Sequence, residues 1–255
     1  MNNPRTYGNA PYTVAVLHGG PGAAGEMAPV AAELSSQNGV LEPLQTANSV
    51  DGQVAELKRT LEEHGRVPLT LVGYSWGAWL GFLLAARHPN LVQKLILVSS
   101  GPFEESYVPQ IQQTRFHRLS REEKKEVEFL MGKLDKPGAL SRLGTIFAQT
   151  DVYDPLPIMM EAEVDLRSDI YKSVWSQAVE LRKSGKLLEA GKGIQCPVVA
   201  IHGDHDPHPA EGVQKPLAGV LKDFRFVLLD KCGHTPWIER QARDEFFRVL
   251  GEELR

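Results

Sequence analysis

Residues 69–81 read Leu-Thr-Leu-Val-Gly-Tyr-Ser-Trp-Gly-Ala-Trp-Leu-Gly. The stretch begins as a short apolar run of β-forming residues and ends in small and apolar residues that suit the start of a buried helix. Between the two parts, residues 73–77 match the pattern G-x-S-x-G. The sequence therefore predicts a strand that turns sharply into a helix, with Ser75 at the turn.

This turn indicates what Ser75 does. The turn strains the backbone of the serine, and Gly73 and Gly77 remove the side chains that would collide where strand and helix cross. The first amides of a helix have no intrahelical partner, so the amide of Trp76 is free to donate to a negative oxygen. We interpret Ser75 as a nucleophile and Trp76 as an oxyanion donor; an ordinary turn stays the alternative for this motif alone.

The size and composition of the chain fit one large domain, or a domain with an insertion. The chain has 255 residues, of which 42% are hydrophobic and 24% charged, as in soluble proteins with a sizeable core. The net charge is -4 and no run of Lys and Arg occurs, which argues against nucleic acid or an anionic membrane as a partner. Residues 14–17, the first apolar run, are too short for a signal peptide or a membrane span. We expect a cytoplasmic protein that acts on a small molecule.

The two cysteines are predicted to be free thiols. Cys196 comes just before one predicted strand and Cys232 just after the next. If the strands are parallel, the thiols lie at opposite ends of the sheet, about 20 Å apart for a six-residue strand. That separation is far beyond the reach of a disulfide.

A glycine-rich loop follows the first predicted strand. Residues 13–17 read as a short buried strand, and residues 18–22 read His-Gly-Gly-Pro-Gly, which predicts a tight loop with exposed amides. The amide of Gly20 is a candidate second oxyanion donor, because no side chain blocks an approaching oxygen. A plain strand-to-helix turn is the alternative.

Strands and helices alternate through the first hundred residues. Further strands are predicted at 40–44 and 95–99, and helices at 27–37, at 51–64 and from the serine to about residue 88. This alternation predicts a doubly wound α/β fold with a mostly parallel sheet. Ligands of such folds bind at the carboxyl ends of the strands, where Ser75 and the Gly20 loop would both lie.

The middle of the chain changes character. Residues 103–195 are charged and carry no strand signal, and helices are predicted at 121–134, 140–149, 157–165 and 169–183. We interpret 103–195 as a helical cap inserted between two parts of the core, 1–102 and 196–255. Such a cap would exclude water and shape a substrate pocket.

Several residues are candidate substrate contacts. Large apolar side chains of the cap either line the pocket or form the cap's own core: Phe147, Met159, Met160 and Trp175. Tyr74, beside the serine, is a further candidate. The acidic residues Glu161, Glu163 and Asp165 are either exposed, or one of them binds a cationic group of the substrate.

The last quarter supplies an acid and a histidine. Asp206 follows a predicted strand at 197–201, and His234 follows the next one, at 224–229. His234 would accept the proton of Ser75, and a carboxylate would orient its imidazole. We assign Asp206 to that role, with Asp204 as the alternative.

The same segment is dense in groups that bind metals, at His202, Asp204, His205, Asp206 and His208. Neighbouring residues of an extended loop point in different directions, and the helical i, i+4 histidine pair of zinc sites is missing from the segment. We therefore predict no metal and no organic cofactor.

Four motifs, taken in order, resemble the α/β-hydrolase superfamily: the loop at 18–22, the serine pentapeptide at 73–77, Gly-Asp-His-Asp at 203–206 and Gly-His at 233–234. Within the superfamily the chain looks like the proline iminopeptidase-like and small-ester-hydrolase group. The resemblance implies Ser75 as nucleophile, Asp206 as acid and His234 as base. It also implies an oxyanion hole formed by the amides of Gly20 and Trp76.

The chain also departs from that group. The iminopeptidases typically carry glycine where this chain has Tyr74, and the stretch after Val40 lacks the pattern Asp-x-x-Gly-x-Gly. Only 13 residues precede Val14, too few for the usual N-terminal hairpin. We therefore predict a reduced sheet of six or seven strands.

The sequence as a whole predicts a serine hydrolase that cleaves a small ester or amide through an acyl-enzyme. Three alternatives remain: an aminopeptidase of the proline iminopeptidase type, a hydrolase or lyase acting on carbon–carbon bonds, and a catalytically silent protein that binds a ligand. The sequence makes no prediction of the oligomeric state.

Overall fold

The computed structural model describes residues 3–133, 138–157 and 165–255. Its main sheet has seven strands in the order β1-β4-β2-β5-β6-β8-β9, which confirms the predicted α/β fold and the reduced sheet. The seven strands are β1 (Arg5–Tyr7), β2 (Tyr12–Leu17), β4 (Gly39–Glu42), β5 (Leu69–Tyr74), β6 (Val92–Val98), β8 (Val198–Gly203) and β9 (Phe224–Leu229).

The sheet is parallel except at one edge. Strand β1 pairs antiparallel with β4, and all other neighbours in the sheet run parallel. A three-residue strand thus occupies the edge where related folds carry a hairpin. The carboxyl ends of β2, β5, β8 and β9 all reach the same side of the molecule.

Ten α-helices lie in the part of the chain that the structure describes: α1 (Ala28–Leu34), α2 (Val50–His64), α3 (Trp76–Arg87), α4 (Val108–Arg118), α5 (Arg121–Met131), α6 (Ala139–Thr150), α7 (Ser168–Lys183), α8 (Lys186–Ala190), α9 (Glu211–Val220) and α10 (Arg243–Glu253). None of these helices is long and apolar enough to span a membrane. Cys196 and Cys232 are unpaired, as predicted.

The core lies on both faces of the sheet. One face packs against α2, α3 and α7, and the other packs against α1 and α10. Strands buried on both faces read as continuous apolar runs, which is why the sequence predicts β5 and β6 well. A small separate cluster of Leu119, Val127, Leu143 and Ile146 joins α5 to α6.

The middle segment differs from the sequence-based prediction in one respect. Two further strands, β3 (Ala23–Ala24) and β7 (Asp165–Leu166), form a small antiparallel sheet, although no strand was expected between 103 and 195. Two-residue strands are too short to carry a periodic signal. This pairing joins the segment after the glycine-rich loop at 18–22 to the start of α7.

Three helices were not predicted: α4, α8 and α9. Helix α8 has only five residues, too few for a periodic signal. Helix α4 buries only Ile111 among its eleven residues, so its apolar pattern is weak. Helix α9 contains Gly212, Pro216 and Gly219, which read as turn residues in the sequence. The helix predicted at 157–165 falls almost entirely outside the described residues.

Helix α7 packs on the main core although it falls within the predicted cap. Its buried residues Ile170, Val174 and Ala178 belong to the same cluster as Trp79 and Phe82 of α3. The division into a core of 1–102 and 196–255 and a cap of 103–195 stays a prediction.

Candidate active site

The predicted turn from strand to helix is present at Ser75. Strand β5 ends at Tyr74 and helix α3 begins at Trp76, and Ser75 between them has φ +52° and ψ -114°. A side chain is rarely held with positive φ unless its surroundings enforce it. The backbone N–H of Ser75 donates to the carbonyl of Val98 at 3.0 Å, which fixes the turn to the neighbouring strand.

The two glycines of the motif are required by close backbone packing. A Cβ on Gly73 would lie 2.3 Å from the carbonyl oxygen of Gly77, and a Cβ on Gly77 would lie 2.3 Å from that of Leu17. A side chain at either position would force the neighbouring backbone segments apart. Strand β2 and helix α3 therefore pack closely enough to bring the loop after β2 beside Ser75.

Asp206 and His234 meet across the loops after β8 and β9. The Nδ1 of His234 donates to Oδ2 of Asp206 at 2.7 Å, and the Asp206 side chain is fully buried. Burial lowers the pKa of His234, but the Asp206 carboxylate more than offsets this, so the pKa of His234 is raised. Because Nδ1 carries the proton, Nε2 is the nitrogen that can accept one.

Asp204, the alternative acid, serves the backbone instead. Its Oδ1 accepts a hydrogen bond from the amide of Cys232 at 3.1 Å. This contact holds the loop that carries His234, so Asp204 supports the histidine through the backbone. The choice of Asp206 over Asp204 as partner of His234 agrees with the geometry.

A second histidine shares Asp206. The Nδ1 of His208 donates to Oδ1 of Asp206 at 2.8 Å, and the backbone N–H of His208 donates to the same oxygen at 2.9 Å. The rings of His208 and His234 stack with centroids 4.5 Å apart. Burial lowers the pKa of His208 to about 4, so its ring is neutral at pH 7.

The carboxylate between the two histidines stays ionised. Burial by itself opposes ionisation, yet His234, His208 and His202 hold the pKa of Asp206 well below its usual range. In the sequence, His208 and His202 stand out only as members of a loop rich in metal-binding groups. A single histidine in a loop gives no pattern from which this contact could be predicted.

Asp206, His208 and His234 bring three potential metal-binding atoms within 4.8 Å of one another. Their nitrogen–oxygen distances of 2.7 and 2.8 Å are those of hydrogen bonds. Ligand atoms around a tetrahedral zinc lie roughly 3.3 Å apart, given bonds of about 2.0 Å. The cluster as arranged fits two hydrogen-bonded imidazoles and does not fit a metal site.

The two candidate oxyanion donors lie in the loops next to Ser75. Trp76 is the first residue of α3, so its amide has no intrahelical partner, and its indole N–H donates to Gln53 at 3.0 Å. Gly20 has φ +23°, and its carbonyl accepts from the amide of Ala23 at 2.8 Å. Its own amide is thus held in a fixed turn beside the cavity that His234 lines.

Glu26 brings a carboxyl to the same loop. Burial raises the pKa of Glu26 to about 7, and its Oε2 is buried without a hydrogen-bond partner among the described residues. A Cβ on Gly19 would lie 2.7 Å from that oxygen. The sequence carries no signal for Glu26, because an isolated acidic residue in a loop looks the same whether it is buried or exposed.

Two cavities open at the site. One of about 320 Å³ is lined by Ser75 and His208 and by three aromatic rings, of Trp76, Trp79 and Trp175. The other, of about 460 Å³, is lined by Gly20, Glu26, Tyr74, Phe147 and His234. Arg115 and Tyr171 line both.

The structure thus places the predicted contacts Trp175 and Tyr74 at different cavities. Phe147 lines the larger of the two cavities and also packs against the small cluster that joins α5 to α6, so its position is compatible with either interpretation. Four other predicted contacts, Met159, Met160, Glu161 and Glu163, lie outside the described residues. The burial of Asp165 is likewise outside the description.

The loop of His234 is tied to the segment after α6. The backbone N–H of His234 donates to the carbonyl of Asp151 at 2.7 Å, and the Asp151 carboxylate forms a two-pronged ion pair with Arg115. The buried carboxylate of Glu239 accepts from the amides of Gly233 and Tyr153, both at 2.8 Å. These bonds hold the histidine loop against helices α4 and α6.

Residues 12–241 match the model of the alpha/beta hydrolase fold family. The chain therefore belongs to the α/β-hydrolase family, as its four sequence motifs indicated.

Individual relatives agree with that assignment. The chain is 28% identical over 199 residues to pimeloyl-[acyl-carrier protein] methyl ester esterase of Chromobacterium violaceum, a match covering 76% of this chain and 73% of the relative. The crystal structure of VinJ superposes with a TM-score of 0.74 at 19% identity, covering 98% of this chain and 93% of VinJ. Proline iminopeptidase of Mycobacterium smegmatis superposes with a TM-score of 0.66 at 19% identity, with the same coverage. The protein is an enzyme of the α/β-hydrolase type, with esterases among its homologues.

Proposed function

We propose that the protein is a serine hydrolase that cleaves small esters or amides through an acyl-enzyme. Ser75 is the nucleophile, His234 the base and Asp206 the acid. The observation that carries this proposal is the buried Asp206–His234 hydrogen bond of 2.7 Å at the same sheet edge as a serine with φ +52°. The strained turn presents the Ser75 hydroxyl. The hydrogen bond to Asp206 uses Nδ1 of His234, so Nε2 of His234 is free to accept a proton.

The chemistry follows from the protonation states. Nε2 of His234 accepts the proton of Ser75 Oγ while that oxygen attacks the acyl carbon. The amides of Gly20 and Trp76 stabilise the oxyanion that forms. His234 then gives its proton to the departing alcohol or amine, which leaves an acyl-serine. Water attacks the acyl-serine by the same route in reverse and releases the acid.

The Asp206 carboxylate stabilises the imidazolium formed in each half of the reaction. Its depressed pKa keeps it ionised throughout, so the negative charge is present whenever His234 carries its extra proton. The two cavities beside Ser75 and His234 offer separate space for the acyl group and the leaving group. The esterase named among the relatives favours an ester as the natural substrate.

A specific observation also favours aminoacyl substrates as a second class. Glu26 brings to the cavity that His234 lines a carboxyl whose Oε2 has no hydrogen-bond partner among the described residues. A protonated amine next to it would lower its pKa and stabilise the ionised form. This makes Glu26 a candidate amine contact within the described residues, beside Glu161 and Glu163, which were proposed from the sequence.

The experiment compares kcat/KM on a short-chain nitrophenyl ester and on a prolyl arylamide. Ser75→Ala, Asp206→Asn and His234→Ala are each expected to lower kcat by about 10³-fold or more, and the losses should not add, because the three act as one unit. Asp204→Asn is the matched control, since its amide oxygen still accepts from Cys232. Normal turnover by Ser75→Ala would contradict the mechanism, and preference for the arylamide would favour the aminopeptidase class.

A further inference from the structure

Arg182 is a buried cation that the proposed mechanism does not use. It lies on helix α7, and only 6% of the residue is exposed. Its guanidinium carbon lies 5.5 Å from the ring centre of Trp79. Its Nε donates to Oε2 of Glu105 at 2.8 Å, and the Glu105 side chain is itself 44% exposed.

That single bond leaves most of the guanidinium without a partner. A guanidinium has five N–H donors, and in the described residues Nη1 and Nη2 of Arg182 form no hydrogen bond. Buried charged donors are costly unless they are paired. The side chain lines the cavity of about 320 Å³ that also contains Ser75, so a bound molecule can supply the missing acceptor.

The lining of this cavity is basic. Arg115 and Arg182 both line it, and no Asp or Glu is among its lining residues in the described part of the chain. Arg115 is already neutralised through both oxygens of Asp151. His208, the histidine that lines this cavity, is neutral at pH 7 because its pKa is about 4. The Nη1–Nη2 edge of Arg182 lines this cavity and has no acceptor among the described residues, while its partner Glu105 is bound at Nε. This edge is therefore open to an anion.

We propose that this cavity binds a substrate carboxylate at the Nη groups of Arg182, while the scissile carbonyl of the same substrate lies at Ser75. The proposal rests on the serine hydrolase function and names its substrate class: an ester or amide whose acyl chain ends in a carboxylate. One planar guanidinium edge matches the two oxygens of one carboxylate. A phosphoryl group, with its second charge, would call for a second unpaired cation.

The walls between the two ends suit a short apolar linker. Helix α3 places Trp76 and Trp79 one turn apart, roughly 5 Å along the helix axis, and Arg182 lies over the second of these rings. Ile111 and Val108 of α4 line the same cavity. The chain between carbonyl and carboxylate therefore contacts apolar atoms along its length.

The test needs only the wild-type enzyme and matched substrates. The mono-p-nitrophenyl esters of adipic and suberic acid carry a free terminal carboxylate, and the terminal carboxamides are their neutral counterparts. We expect kcat/KM to favour the carboxylate of at least one length by roughly tenfold or more, mainly through KM. Equal rates, or a preference for the carboxamide at both lengths, would overturn the inference.

Variants of helix α7 test whether Arg182 is the residue that causes the preference for the carboxylate substrate. Arg182→Met should abolish the preference for the carboxylate. Arg182→Lys should reduce it, because the lysine ammonium is a point charge and lacks the two parallel N–H donors of a guanidinium. Lys183→Met is the matched control: it removes the same charge from the next residue of α7, which is exposed, and it should keep the preference. A preference that survives Arg182→Met would overturn the assignment to Arg182.

The outcomes separate this inference from the proposed function. An enzyme that hydrolyses both esters through Ser75 without preferring the carboxylate overturns the carboxylate site alone. A folded protein that hydrolyses neither ester and does not react with a fluorophosphonate at Ser75 overturns the serine hydrolase, and the carboxylate site with it. Because the wild-type comparison needs no substitution, a variant that fails to fold does not remove the test.

Discussion

At the scale of single residues, Asp206 divides its negative charge between two imidazoles. His234 occupies one carboxylate oxygen and His208 the other. Only one of the stacked rings can carry a positive charge, and the depressed pKa of His208 reserves that charge for His234. His208 thereby acts as a positioning residue that fixes the carboxylate and adjusts the base.

Replacing His208 is expected to shift the pH profile. Hydrolysis needs neutral His234, so kcat/KM falls as the pH drops through the pKa of that residue. The substitution His208→Phe keeps the stacked ring but removes one hydrogen bond to Asp206, which leaves more negative charge facing His234. The pKa of His234 should rise and the acidic limb should move to higher pH. The control is His205→Phe, on the same loop, where the ring contacts Tyr153; this substitution should move the acidic limb less. An unchanged acidic limb in His208→Phe would contradict the positioning role of His208.

Replacing Glu26 should shift the acidic limb of the pH profile in the opposite direction from the His208 substitution. Its pKa of about 7 means that it gains negative charge near neutral pH, and this charge stabilises protonated His234. The isosteric Glu26→Gln removes the charge, so the pKa of His234 should fall and the acidic limb should move to lower pH. The profile of kcat/KM on a neutral ester measures this, and a shift to higher pH would show that Glu26 does not act on His234. The other charged groups around His234 are Asp206, Asp151 and Arg115, which both variants leave in place.

Residues were predictable where they follow a strand in a recognisable pattern. Ser75 and Asp206 each follow a buried strand, and His234 follows the outermost strand β9, so parallel topology brings the three to one side of the molecule. His208, Glu26 and Arg182 have no such signal. Their contacts depend on how loops and helix α7 pack, and neither composition nor periodicity encodes that packing.

At the scale of elements, the crossing of β2 and α3 depends on glycine. The substitution Gly77→Ala would place a Cβ 2.3 Å from the carbonyl of Leu17, and backbone on both sides would have to move. We expect a loss of about 3 kcal/mol in the free energy of unfolding, measured by denaturant titration. Activity should fall as well, because the helix start that carries the Trp76 amide would shift.

The matched control is a glycine in open space. A Cβ on Gly219 of α9 meets nothing within 4 Å, so Gly219→Ala should stabilise the protein by about 0.5–1 kcal/mol through helix propensity. Equal stability of the two alanine variants would show that the crossing tolerates a side chain and that the close packing is not required.

Elements with strong periodicity were predictable, and those without it were not. Strands β5, β6 and β8 are continuous apolar runs, so their existence followed from the sequence. The pair β3–β7 is too short for any pattern, and α9 is masked by its glycines and its proline. Helix α4 was missed because it buries a single side chain, although it carries Arg115 into the site.

At the scale of the whole molecule, one buried carboxylate joins the histidine loop to the segment that follows α6. Glu239 accepts three backbone hydrogen bonds of 2.8 Å, from Gly233, Tyr153 and Asp154. The substitution Glu239→Ala leaves these amides unpaired and should cost about 3 kcal/mol or more. A chain of this size should then melt lower by roughly 6 °C or more, and hydrolysis should slow because Gly233 precedes His234.

The control for that variant lies on the surface. Glu245 of α10 is exposed and pairs with the exposed Arg248, so Glu245→Ala should change the melting temperature by about 1–2 °C at most. A similarly small change in Glu239→Ala would contradict the view that this carboxylate holds the two parts together.

The most direct test of the central claim is covalent labelling with a fluorophosphonate, with the modified residue located by mass spectrometry. The account predicts a single adduct on Ser75, loss of the adduct in Ser75→Gly and much slower labelling in His234→Ala. Glycine at position 75 also relieves the positive φ, so that variant should melt no lower than the wild type and serves as a folded control. A folded wild-type protein with no adduct, or with its adduct on another residue, would contradict the assignment of Ser75 as the nucleophile.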